Sequence, residues 1–292
     1  MTPQLELAAD IVSIVGESPT WSVREQALYW IDGQAHRVMR LSLPSGRLET
    51  RDLPYRASAL ALLPERGLLL AYKKGLGTFD FETGAAQSLP VEGIDFTDVS
   101  FNDCACDAAG RLWIGTRHRD ASAPVCWLYR IDPGMRITPV IGSLIVSNGI
   151  AFSPDGRIMY HTDSRPGRID AYDYDPATGT PSNPKRLLDY QGKGRRPDGC
   201  TVDAEGHLWV AEIDGSRIAR YAPDGTLERT IMLPVSKPAS LAFGGADMRT
   251  LFITSISYGL SETQRAEQPW AGKGMSLATD IAGLPEPPFR GL

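Results

Sequence analysis

The chain is short of the groups on which many metal sites and secreted scaffolds depend: four cysteines and four histidines in 292 residues. Cys104, Cys106, Cys126 and Cys200 are too few and too scattered for a disulfide framework. Cys104 and Cys106 would face one side of a strand, yet no second Cys or His pair stands at ligand spacing, so all four read as small buried hydrophobes. His36, His118, His161 and His207 form no H-E-x-x-H or other zinc pattern. No apolar run approaches the roughly 20 residues that span a bilayer. The opening MTPQLELAADIVSIVGE has no basic n-region and no long apolar h-region, so the expectation is a cytoplasmic protein that engages no membrane. Basic charge is not in excess either: 30 Lys and Arg face 35 Asp and Glu, a net charge of -5, which argues against nucleic acid as a partner. Helix signal is equally scarce, because Pro, Gly and β-branched residues interrupt every candidate amphipathic stretch. No G-x-S-x-G elbow or Ser-His-Asp order is present, which disfavours a covalent acyl-enzyme.

What the chain does contain is a repeat. The apolar cores ALYWID, GLLLAY, RLWIGT, RIMYHTD, HLWVAE and TLFITS begin near residues 27, 67, 111, 157, 207 and 250, a period of roughly 40 to 50 residues, the range of propeller blades. Turns such as PERG, DAAG, SPDG and DAEG precede four of them. A second family (LPSG at 43, FETG at 81, DPG at 132, DPATG at 175, PDG at 223) follows segments of alternating polarity. Two hairpins per repeat mean four antiparallel strands per repeat. The expectation is an all-β, six-bladed β-propeller of four-stranded antiparallel blades forming one domain over residues 1–292. Its N-terminal LELAADIV and C-terminal GMSLATDIA should share a blade and close the ring.

Aligned on the first turn of each repeat, the chain places polar groups at one register. Asp198 stands five residues before the DAEG turn. Asn102 before Asp107, Asn148 before Ser153 and Glu17 before Ser22 keep the same count, while the other two repeats have small residues there, Ser58 or Ala59 and Ala239 or Ser240. The start of an innermost strand lines the mouth of a propeller's channel, so Glu17, Asn102, Asn148 and Asp198 should converge. Two carboxylates and two amides make an all-oxygen set of charge about -2. Such a set suits one divalent cation (Ca, Zn, Mn, Mg or Fe(II)) and is the wrong chemistry for a structural zinc site. Taken singly, Asp198-Gly199 and Asn148-Gly149 are ordinary turn dipeptides. The shared register is what argues otherwise. Asp155 and Asp224 fall at hairpin turns and read as structural.

The same residues carry a family resemblance. GESPTW at 16–21 with LYWID at 28–32, FND at 101–103, SNGIAFSPDG at 147–156, PDGCTVDAEGHLWVA at 197–211 and KPASLAFGG at 237–245 resemble the senescence marker protein, gluconolactonase and luciferin-regenerating enzyme family along nearly the whole chain. The resemblance implies a six-bladed propeller with one divalent cation in its channel and hydrolysis of sugar lactones, small-molecule substrates. It implies Glu17, Asn148 and Asp198 as metal ligands and Asn102 as a substrate contact. Asp198 is the candidate to take a proton from the attacking water. Ser100 departs from the family's R-x-N-D pattern, in which the arginine meets substrate hydroxyls; Arg117, His118 or Arg119 of the exit loop GTRHRDASAP is the candidate replacement, the alternative being that this stretch is a solvated loop, and Ser100 and His118 are carried as candidate substrate contacts. A different metal-dependent esterase or phosphotriesterase, or a non-catalytic binding propeller with a structural metal, remains open at this point.

Overall fold

The apolar cores of the six repeats become the second strands of six sheets in the computed structural model, which describes residues 4–292. Each sheet has four antiparallel strands, which in blades one to five follow one another in chain order, and the six sheets form the blades of a ring. Blade one comprises Gly16–Ser22, Ala27–Asp32, Arg37–Ser42 and Arg47–Asp52. The inner strands of blades two to six are Ala57–Leu62, Val99–Cys106, Ser147–Phe152, Arg196–Val202 and Pro238–Gly244. Both expected turn families form. At DAEG, Asp203 accepts from the backbone N–H groups of Glu205 and His207, and Gly206 takes the positive φ of 85° that an L side chain resists.

Blade six closes the ring with both ends of the chain. Its outermost strand, Leu5–Ala9, pairs antiparallel with Gly274–Ala278, with Leu5 opposite Leu277 and Leu7 opposite Met275. The expected sharing of one blade by the two termini is therefore observed. One element had no counterpart in the pattern, a six-residue helix at Glu262–Glu267 inside a blade-six connection. It is held by a Ser261/Gln264 capping box and buries no residue, so it has no apolar period to detect.

No blade owns its core. The apolar clusters lie between neighbours: Tyr29, Ile31 and Val38 of blade one pack with Leu60, Leu68, Leu70 and Phe79 of blade two. Trp21, Trp30 and Met39 close the seam to Phe252 of blade six. Each strand face is buried only when the next blade is present, which is why the repeats stand or fall together. All four cysteines are free thiols, three of them buried, in line with the reading as small apolar residues. Among the described residues no helix is long and apolar enough to cross a membrane.

Candidate active site in the propeller channel

Every inner strand carries one extra residue near its start. The register runs Glu17 opposite Ile31, then Thr20 opposite Tyr29; Phe101 opposite Thr116, then Cys104 opposite Ile114. In blades four and five it runs Asn148 opposite Thr162, then Ile150 opposite His161; and Pro197 opposite Glu212, then Cys200 opposite Val210. Blades two and six shift at the same place. A bulge bends the strand and re-aims its side chains. Here, repeated at the register picked out above, it accompanies the convergence of Glu17, Asn102, Asn148 and Asp198 on one channel-mouth cavity of about 670 Å³. Asn148-Gly149 and Asp198-Gly199 thus lie in bulges and not in hairpin turns. Gly149 has φ 28°, and a Cβ there would come within 2.5 Å of the Asp198 carbonyl oxygen; one at Gly199 would meet Ser240 Oγ at 2.3 Å. Small residues let the inner strands of blades four to six touch.

The floor of the cavity is electrostatically unfinished. Asp198 and Asn148 are buried, and the Asn148 amide nitrogen donates to both Asp198 Oδ1 and Ser164 Oγ, the latter at 3.1 Å. Asn102 Nδ2 donates to the Ser147 carbonyl at 2.9 Å, which fixes its side chain across the blade three to four boundary. Burial pushes the Glu17 carboxyl well above the ordinary range, and Asp198 and Asp103 push it further. Asp198 is raised in the same way, by burial and then by Asp103, with Arg196 and Arg117 opposing. Asp103 was not singled out by the register and is a third carboxyl on this floor. Burial lifts it to about 6 despite the backbone N–H of Cys104 at 2.8 Å. It is the third letter of FND; a register of one position per blade passes over it, because the blade-three bulge between Phe101 and Cys104 turns both Asn102 and Asp103 inward.

Ser100 also lines the cavity, directly opposite Arg117 on the next strand. Directly opposed residues put their side chains on the same face, so the small Ser100 leaves room for the Arg117 guanidinium. Arg117 and Arg119 line the cavity, but His118 is not among its lining residues. With Arg117 turned in, the alternation of the strand turns His118 out, and its Nδ1 lies 3.3 Å from the Ser122 backbone N–H.

The donor set fits a hard cation. Glu17 and Asp198 offer carboxylate oxygens, and half a turn of the Asn148 amide would present Oδ1 where Nδ2 now meets Asp198. No sulfur or imidazole competes among these groups. Among the described residues no three His, Cys, Asp or Glu side chains form a ready metal cluster on their own, so any such site would rely on the amide and on ligands from outside the chain.

Residues 15–257 match the family model described as the SMP-30/Gluconolactonase/LRE-like region. The chain belongs to this family. It is 36% identical over 280 residues, 96% of each chain, to 6-deoxy-6-sulfogluconolactonase of Pseudomonas putida. It is 33% identical to L-arabinolactonase of Azospirillum brasilense, over 99% of this chain and 96% of that one. Among solved structures, a calcium-binding protein, regucalcin, from Agrobacterium tumefaciens superimposes with a TM-score of 0.92 at 28% identity, covering 99% of this chain and 98% of its own. Family membership thus joins a channel whose carboxylates repel one another.

Proposed function

We propose that the protein hydrolyses a sugar lactone to the corresponding aldonic acid in a sugar-oxidation route, with a divalent cation held by Glu17, Asn148 and Asp198. The observation that carries this reading is the cavity floor: carboxyls from three blades line it, all pushed up by burial, and Glu17 and Asp198 pushed up further by their carboxylate neighbours. Such an arrangement is stable only with a proton or cation among them. When bound, the cation would polarise the lactone carbonyl and offset the negative charge that develops on it.

The chain's own groups do the rest. Asn102, anchored by its bond to the Ser147 carbonyl, is placed to donate to the ring or to the developing oxyanion. Asp198 takes the proton of the attacking water, and the same proton can return to the ring oxygen as its bond to the carbonyl carbon breaks. Ser100 makes space, and Arg117 takes the place of the arginine missing at position 100. The four free thiols support a reducing, cytoplasmic setting.

The test is acid release, followed with a pH indicator, on a panel of pentono- and hexonolactones. The protein is stripped with a chelator and then resupplied with Ca²⁺, Mn²⁺, Zn²⁺, Mg²⁺ or Fe²⁺. Cation-dependent opening of at least one lactone is expected. Silence on every lactone, with every ion, would overturn the proposal.

A further inference from the structure

The wall above the acidic floor has the opposite sign. Of the side chains lining the cavity, eight are Lys or Arg and four are Asp or Glu, in a chain whose net charge is -5. Several of these cations are spoken for: Arg119 pairs with Asp98 and Arg196 with Asp214, each at 3.0 Å, while Lys237 Nζ donates to the Tyr258 carbonyl at 2.9 Å. Arg56, Lys73 and Arg117 are different. Among the described residues none of the three has a carboxylate within salt-bridge distance or a side-chain hydrogen bond, and Arg117 Nε is buried without any partner.

The fold brings these three together from separate segments. Arg56 immediately precedes the inner strand of blade two and Lys73 immediately follows the second strand, and the Lys73 N–H donates to the Arg56 carbonyl at 3.1 Å. The Lys73 carbonyl in turn accepts from Phe101 N–H at 3.0 Å, which ties this corner to the blade-three strand where Ser100 opposes Arg117. The cations feel one another. Burial and then Arg117 lower the Arg56 pKa; burial and then Arg56, Arg117 and Lys74 lower that of Lys73. Blade two has only Ser58 and Ala59 at the register that is acidic elsewhere, so nothing on its own strand neutralises the cluster.

A neutral lactone needs donors and acceptors, not three like charges crowded together with no carboxylate in salt-bridge contact. We propose that Arg56, Lys73 and Arg117 form a subsite for a strong-acid oxyanion, a sulfonate or phosphate, carried by the lactone at the end remote from its ring carbonyl. This rests on the lactonase reading above and specifies its substrate class. The two halves of the cavity then have separate tasks: the acidic floor handles the ester, and the basic wall grips the charged tail. Guanidinium groups suit the second task because they present forked donors to tetrahedral oxyanions.

The test compares kcat/KM on glucono-lactone with its 6-sulfonate and 6-phosphate counterparts, using the cation-loaded enzyme at low and at high salt. We expect at least one anionic lactone to be preferred tenfold or more, with its KM rising with salt. The double variant Arg56→Met/Lys73→Met should lower the anionic-to-neutral ratio at least tenfold, and Arg56→Lys alone should keep part of it. Whichever of sulfonate and phosphate is preferred identifies the tail. Lactone turnover without an anionic preference, or a ratio unmoved in the double variant, would overturn the subsite and leave the lactonase reading intact. Calorimetric binding of gluconate against gluconate 6-phosphate and gluconate 6-sulfonate needs no turnover. If no lactone is opened but an anionic sugar acid binds tenfold tighter, with the gain lost in the double variant, the subsite stands and the lactonase reading falls. If no such gain is seen, the subsite falls with it.

Discussion

Asp198 and Asp203 lie five residues apart on blade five, both buried, and they meet burial in opposite ways. Asp203 is saturated: backbone N–H groups of Glu205 and His207 at 3.0 Å, Trp209 Nε1 at 2.8 Å and Arg220 Nε at 2.7 Å all donate to it. Glu212, on the next strand, follows Asp203. Burial pushes its carboxyl up, but bonds from Arg217, Tyr221 and Tyr190 outweigh this and leave it below the ordinary range. Asp198 has the single amide of Asn148 and two carboxyl neighbours, and its pKa goes the other way. The same residue type in the same blade is structural where donors surround it and available for chemistry where they do not.

The sharpest way to break this contrast is Asp198→Asn. Turnover should fall by about three orders of magnitude, within the range that positioned acid–base groups supply. The thermal midpoint should hold or rise, because one of three crowded carboxyls has gone. Initial rates and a circular dichroism melt on the same preparation check both. Arg220→Met should do the reverse, since it strands Asp203 in the interior: a loss of about 3–5 kcal/mol in denaturant melts, with rate per folded molecule retained.

A third buried group sharpens the comparison by staying neutral. His161 has the Ser147 hydroxyl 2.7 Å from its Nε2, and burial, then the charge of Arg168, lowers its pKa from 6.5 to about 3. Below pH 6.5 the unfolded chain takes up a proton that the folded chain refuses, so stability is full above that pH and drains as pH falls toward 3. The slope is at most about 1.4 kcal/mol per pH unit. Denaturant melts across this window should show a shallower decline for His161→Gln. The smallest effect belongs to Asp155→Ala. This carboxylate accepts from the Ser153 hydroxyl at 2.6 Å and from the Arg157 N–H at 3.0 Å in an exposed turn, and its loss should leave turnover unchanged and cost less stability than any change above.

Much of this was legible in the chain itself. The alternation in HRVMRLSL and IDAYDYD, the Gly-bearing turns and the equal phasing of Glu17, Asn102, Asn148 and Asp198 each depend on residues a few positions apart. Asp103 escaped because equal phasing admits one residue per repeat, whereas the bulge between Phe101 and Cys104 turns in two. His118 was grouped with its neighbours because a loop reading ignores face, while the strand that continues through it separates Arg117 from His118 by alternation. Arg56 and Lys73 carry no motif, and they lie 17 positions from one another and 61 and 44 positions from Arg117.

By itself, then, the amino-acid order determined the six repeats, their hairpins, the closure by both ends and the phase at which polar groups face the channel. These follow from backbone geometry and side-chain alternation, which act over a few residues at a time. Only the closed ring decided which charges meet. Coulomb forces act through space, so the repulsion among Glu17, Asp103 and Asp198, and among Arg56, Lys73 and Arg117, arises only when distant strands are brought to one mouth and water is largely excluded.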